Sequence, residues 1–304
     1  MDGERESGWL PVVTALAVVV LWGATPVVTK FAAREIDPLL VGLYRALLGG
    51  LVGAPLAAML RLKPPRGRQL PPFLVSAFCG FIGFPVIFAF GQRLTSAMHG
   101  GLILAVLPIF TGLIAAAVER RALPGRWWLG SATAFAGEAL LIAGRSQASQ
   151  VGTSLLGDIL VLLASLVASA GYVAGARLTQ ARYASLGTTL WGISAAALAA
   201  LLLLPPAGGL PLPAAGAEAW AAIAFLAWFT SIVGYVGWYW ALARGGIARM
   251  GAIQFLQPLS GLVLAFLLLG ERPTLILGLA TALILTGVLV VRGRRAGDPA
   301  QKRL

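Results

Sequence analysis

Four ionisable side chains interrupt long runs of Val, Leu, Ala and Gly: Arg45, His99, Glu138 and Asp158. A charge in hydrocarbon is costly, so each such group either pairs with another or marks a path for substrate or protons. Arg45 and Glu138 are expected to form a structural ion pair. Asp158, in "LLGDILV", reads as a charge at a helix entry, where the positive end of the macrodipole favours it. His99, beside Gly100 and Gly101, is the single histidine of the chain. It is therefore the proton-coupling candidate, and it equally suits the lining of an outer vestibule. One histidine cannot build a His-based metal site, and no metal or cofactor is expected. The chain has no H-E-x-x-H, no P-loop and no G-x-S-x-G, so an intramembrane enzyme is a distant alternative.

A second set of residues suits recognition rather than catalysis. "LWGATPVVTK" (21–30) puts Trp22, Gly23, Thr25 and Pro26 in one apolar run. Pro26 removes a helical hydrogen bond, and the freed carbonyl needs protein or a wet cavity rather than lipid. Trp22 and Thr25 are thus candidates to face a substrate, and Lys30 reads as an interfacial anchor. Tyr172, in mid-run, needs a partner for its hydroxyl. Phe84 and Phe88 lie at comparable depth. In "YVGWYWAL", Trp238 and Tyr239 suit either an interfacial aromatic belt or a stacking wall for an apolar or aromatic substrate. Gln254 and Gln257, three apart, share one helix face that must turn inward. Pro26, Pro85, Pro108 and Pro258 each place a kink inside an apolar run, where bends could let two halves of the molecule open and close.

The elements that carry these residues follow from composition. Of 304 residues, 59% are hydrophobic and 11% charged, with a mean hydropathy of +0.87. Soluble domains are nearer half apolar and a quarter charged. Apolar stretches long enough for a bilayer core of ~30 Å recur throughout. Ten spans are expected, near 9–31, 38–60, 70–92, 95–118, 127–143, 155–179, 185–204, 219–243, 247–270 and 274–291. The fold class is thus an all-α polytopic membrane protein. A β-barrel is excluded, because its ~10-residue alternation is missing. The acidic "MDGERESGW" makes the first run a retained helix rather than a signal peptide.

The net charge of +12 could suggest nucleic acid, but nearly all of it lies in short loops, so none is expected. Seventeen Lys and Arg fall on one side of the ten-span arrangement and five on the other, with Arg45 inside a span. By the positive-inside rule both termini are cytoplasmic. The Ala/Gly/Arg-rich composition and short loops suit a bacterial inner membrane. Cys79 is the only cysteine, which excludes an internal disulfide.

The chain also repeats. Pro108 matches Pro258, Glu119-Arg120 matches Glu271-Arg272, and "LGSATA" matches "LGLATA". The repeat unit is five spans, and an odd unit forces the second copy to enter the membrane inverted. Secondary transporters are built this way, with the substrate between the halves. The expected units are 1–146, 153–293 and a basic cytoplasmic tail, 294–304. Gly49-x-x-x-Gly53 and Gly171-x-x-x-Gly175 permit close helix approach, read as packing inside the bundle rather than dimerisation, so a monomer is expected.

Leu21-Trp22-Gly23, Pro258 with "LLLGER" (267–272) and Gly278, and the degraded copy Pro108…Glu119-Arg120…Gly130 resemble the drug/metabolite transporter superfamily, specifically its EamA-type ten-helix members. The resemblance spans the whole chain. Glu138, where an apolar residue would be usual, and His99 depart from the pattern. The resemblance implies a central cavity lined by spans 1, 3, 4, 6, 8 and 9, and export of small metabolites, commonly amino acids. Phosphorylated cargo such as nucleotide-sugars is the alternative. It would want basic residues in the cavity, and the sequence places none on the implied lining spans at mid-depth.

Overall fold

The computed structural model describes residues 9–120, 122–144, 154–208, 212–245, 253 and 256–292. Its regular structure there is helical throughout. We label the helices α1 (Trp9–Glu35), α2 (Pro38–Met59), α3 (Gly67–Leu94), α4 (Ala97–Glu119), α5 (Gly125–Gly144), α6 (Leu155–Gln180), α7 (Ser185–Leu203), α8 (217–245), α9 (Leu256–Leu269) and α10 (Leu275–Arg292). Among the described residues, seven helices are long and apolar enough to cross a membrane: α1 to α4 and α6 to α8. Helix α9 and the apolar part of α10 are shorter. The basic tail and residues 247–252, where the ninth span was expected to begin, lie outside the described residues.

Helix starts follow local chemistry. Asp37 caps α2 through the Leu39 amide, Ser96 caps α4 through His99 N, and Ser154 caps α6 through Gly157 N, at 2.9–3.0 Å. Each cap satisfies a backbone donor that would otherwise be unpaired at a helix start. Large aliphatic side chains such as Leu198, Leu202, Leu267 and Leu275 stay exposed on the outside of the bundle, as a lipid-facing surface requires.

The helix packing repeats itself. Helix α2 pairs with α7, and α5 with α10. The α1–α8 pairing matches α6–α3, and α1–α9 matches α6–α4. This pattern is unchanged when each helix is exchanged for the one five places along, as two repeated bundles demand. Small residues make the closest pairs possible. A Cβ on Gly50 would fall 2.1 Å from Ala197 Cβ, and one on Gly287 would fall 2.4 Å from Ala134 N and Gly130 O. Gly53 abuts Ile193, and Gly171 abuts Cys79 and Gly80. Both Gly-x-x-x-Gly pairs are therefore used inside the bundle.

Three of the four expected kinks coincide with breaks in the helical ladder. Pro26 opens a fresh segment of α1 after Ala24, Pro85 follows a π-turn at Cys79–Gly83, and Pro108 follows a 3-10 turn at Leu104–Val106. Wider or tighter turns accommodate the missing proline donor. Pro258 lies in the first turn of α9. Helix α8 holds a second and longer π segment, Phe225–Val233. It is the helix five places after α3, so both repeats carry this distortion in their third helix.

Candidate functional site

Between the two bundles lies a cavity of about 480 Å³. Trp22 and Thr25 of α1, Phe84 of α3, Tyr172 of α6, Thr230 and Tyr235 of α8, and Gln257 with Pro258 of α9 border it. The segment of α4 around Pro108, from Gly101 to Ala115, forms one wall. All six helices implied by the family resemblance contribute. So do three others, through Arg45 of α2, Trp127 of α5 and Leu285 with Val288 of α10.

One side of the cavity is aromatic. Trp22 contacts Tyr235 at 5.3 Å between ring centroids with planes at 62°, and Trp238 at 5.5 Å. The Tyr235 hydroxyl donates to the Tyr172 hydroxyl at 3.3 Å. Trp22 is fixed by its own polar end, because Nε1 donates to the Thr230 carbonyl at 2.9 Å. That carbonyl belongs to the π segment of α8.

Arg45 closes the aromatic side. Its Nε donates to Ser231 Oγ at 3.3 Å, and its Nη2 donates to Ser231 Oγ at 3.1 Å and Thr230 Oγ1 at 3.3 Å. Both hydroxyls spend their own protons on the Leu226 carbonyl, at 2.9 and 2.6 Å. They therefore face Arg45 as acceptors. Two expectations are corrected here. The Arg45–Glu138 ion pair is not formed, because α2 packs on α7 and α8 while α5 packs on α10. Glu138 is 2% exposed, and both its carboxyl oxygens lack a hydrogen-bond partner. The cavity also does border on a basic residue, contributed by a helix that the resemblance left out of the lining.

The cavity continues toward one end of the bundle. A smaller space shares Thr111, Ala115 and Tyr172 with it and reaches Val118, Glu119, Ala176 and Arg177. The opposite end is sealed. Glu271, in the connection from α9 to α10, accepts the Ala97 and Met98 amides at 2.8 Å each. A carboxylate is favourable there because these amides begin α4. Lys30 Nζ donates to the Thr95 carbonyl, and Thr95 Oγ1 donates to Asp158 Oδ1 at 2.5 Å. His99 Nδ1 stands 3.5 Å from the same Asp158 oxygen. Lys30, Thr95, His99 and Asp158 are all buried. Lys30 is thus a member of the seal rather than a snorkelling anchor, and Asp158 joins it through Thr95 and His99.

Of the residues expected to meet substrate, Trp22, Thr25, Phe84, Tyr172 and Gln257 border the cavity. Phe88 does not. It is fully buried and stacks under Phe84 at 5.2 Å. Trp238 packs behind Trp22 in a cluster with Ala15, Val18 and Val19. His99 sits in the sealed end. Gln254 and the Tyr239 side chain lie outside the described residues. Sequence reasoning read Arg45 as half of an ion pair rather than a cavity residue, missed Thr230, and read Tyr235 only as part of an aromatic cluster. The available signal for Arg45 was its position: a lone cation in the middle of a span.

Comparison with known proteins agrees with this architecture. The family model described as the EamA-like transporter family matches twice, over residues 9–143 and 155–293. The uncharacterized transporter YdeK of Bacillus subtilis is 31% identical, over 88% of this chain and 91% of its own. A probable terminal-alkyne amino-acid exporter of Streptantibioticus cattleyicolor is 28% identical over 84% of each chain. A probable amino-acid metabolite efflux pump of Escherichia coli is also 28% identical, over 91% of this chain and 93% of its own. One solved crystal structure shares the fold, with a TM-score of 0.58 at 22% identity, covering 92% of this chain and 95% of that one. The duplicated helical bundles, the apolar spans and these relatives together place the chain, as a multi-pass membrane protein, in the EamA-like transporter family.

Proposed function

We propose that the protein exports small neutral metabolites, amino acids first among them and aromatic or other apolar ones in particular. It does so by alternating access, as two inverted five-helix halves (1–146 and 153–293) rock about the central cavity. The observation that carries this reading is the cavity between the repeats, walled by Trp22, Tyr172 and Tyr235 and closed at one end by Glu271, Lys30 and Asp158. An aromatic wall offers a large apolar contact with polar tips, which suits a partly apolar zwitterion.

The open end bears Arg177 and lies beside Arg120, on the side that charge bias assigns to the cytoplasm. In this reading the structure is an inward-open state of a bacterial inner-membrane exporter. A monomer suffices, since the glycine faces are used within the bundle. Arg45 favours a second reading, exchange of phosphorylated cargo. Against it, Arg45 is the one charged side chain among the described residues bordering the main cavity, and a nucleotide-sugar carries more than one negative charge.

The test is uptake into liposomes holding the purified protein, with labelled aromatic, branched and hydroxyl amino acids and a nucleotide-sugar, with and without a pH gradient. Saturable amino-acid uptake is expected, and Tyr172→Ala and Gln257→Leu should each depress it while the protein stays folded. Nucleotide-sugar exchange without amino-acid flux would replace this reading with the second one.

A further inference from the structure

Arg45 is a buried cation with an incomplete set of partners. The residue is 9% exposed. Among the described residues its hydrogen bonds go to two neutral hydroxyls, Thr230 and Ser231, at 3.1–3.3 Å. No carboxylate of the described residues lies within ion-pair distance of the guanidinium to balance it. Its Nη1, with two N–H groups, has no hydrogen-bond partner there. Guanidinium does not give up its proton in proteins. A desolvated charge without a counter-charge is among the least stable arrangements in a protein interior.

The side chain is nonetheless held in place. The π segment of α8 presents Thr230 and Ser231, adjacent in sequence, to the same guanidinium. An α-helix turns about 100° per residue, which would aim neighbouring side chains apart, so the distortion helps both to converge. Single π segments of this kind are frequent at functional sites. The two hydroxyls orient Nε and Nη2 and leave the other nitrogen of the fork available to a ligand. Arg45, Thr230, Tyr172 and Tyr235 border the same cavity.

We propose that Arg45 is the anchor for the carboxylate of the transported molecule, a specificity-determining contact set in place by the α8 hydroxyls. The proposal rests on the amino-acid reading above and deepens it. A carboxylate accepts a charge-assisted hydrogen bond from Nη1 and supplies the missing charge. The Trp22, Tyr172 and Tyr235 rings then lie at hand for an apolar side chain, or for the ammonium group over an aromatic face. A primary amine without a carboxylate leaves Arg45 uncompensated and is rejected.

The test uses purified full-length protein and three probes: L-phenylalanine, its decarboxylated analogue phenethylamine, and phenylacetate, which keeps the carboxylate and lacks the amine. Binding is read by thermal shift and transport by liposome uptake. In the wild type, L-phenylalanine and phenylacetate should raise the melting temperature and phenethylamine should not. Arg45→Gln should weaken L-phenylalanine binding about 10- to 100-fold, the range for a hydrogen bond to a charged group. It should also abolish the response to phenylacetate. Arg45→Lys keeps the charge without the fork and should fall between the two, which guards against a folding defect in the glutamine variant. Wild-type affinity for L-phenylalanine in Arg45→Gln would overturn the anchor and leave the amino-acid reading standing. An Arg45-dependent shift with phenylacetate, but no amino-acid uptake by the wild type, would support the anchor and overturn the amino-acid reading.

Discussion

The two ends of the cavity are built from matched residues in opposite states. Glu119 ends α4 and Glu271 follows α9, helices five places apart in the repeat. Glu271 takes two backbone amides of α4 and pins the second bundle onto the first. Glu119 borders the open mouth together with Arg177. Lys30, near the end of α1, sits in the seal with Thr95, while Arg177, near the end of α6, the helix five places along, lines the mouth. A repeated element therefore stands in two different settings, one at the sealed end and one at the mouth. On the alternating-access proposal, exchanging the two settings between the repeats opens the other end.

The largest effect should come from removing the lock. Glu271→Ala leaves two amides of α4 without their charged acceptor. At about 1.5–3 kcal/mol for each hydrogen bond to a charged group, the sealed end should lose more than tenfold of its closed population. The measurement is maleimide labelling of Met98→Cys in a Cys79→Ala background. Labelling should rise at least tenfold on adding Glu271→Ala, and an unchanged rate would mean that Glu271 does not hold the seal. Glu119→Ala should leave Met98→Cys no easier to label, because Glu119 stands at the end that is already open.

A smaller effect separates packing from gating. Gly287→Ala puts a methyl group 2.4 Å from the α5 backbone, an overpacking expected to cost about 1–3 kcal/mol. Gly278→Ala, on the same helix, meets nothing within 4 Å and should stabilise by about 0.4–1 kcal/mol. Thermal melts of the two variants in one detergent should shift in opposite directions. The mildest change is Trp22→Phe, which loses the Nε1 bond to Thr230 and keeps the ring. Substrate affinity should drop severalfold, in line with the ~0.5–1.5 kcal/mol of a neutral hydrogen bond.

Much of this was legible from local pattern. Apolar length located the helices, and prolines marked where they break, because a missing donor acts on its own turn. Trp22, Thr25 and Tyr172 were readable as residues ill suited to lipid. What stayed hidden depends on distant partners. Arg45 meets residues 185 and 186 positions away, and nothing in "FLAWFTSIV" announces a π segment. Phe84 and Phe88 are four apart and alike in sequence. Only the neighbouring helices decide that the first borders the cavity and the second is sealed beneath it. His99 beside two glycines suggested a vestibule. A Cβ on Gly100 would fall 1.6 Å from Gln92 Nε2, so the glycine instead allows Gln92 to pack against the start of α4.

The most direct measurement places one cysteine at each end, Ala115→Cys at the mouth and Met98→Cys at the seal, each in the Cys79→Ala background. Labelling rates are followed with and without L-phenylalanine, and with and without Glu271→Ala. Alternating access requires the two rates to move in opposite directions under each perturbation. Rates that rise together, or that change at one end alone, would contradict it.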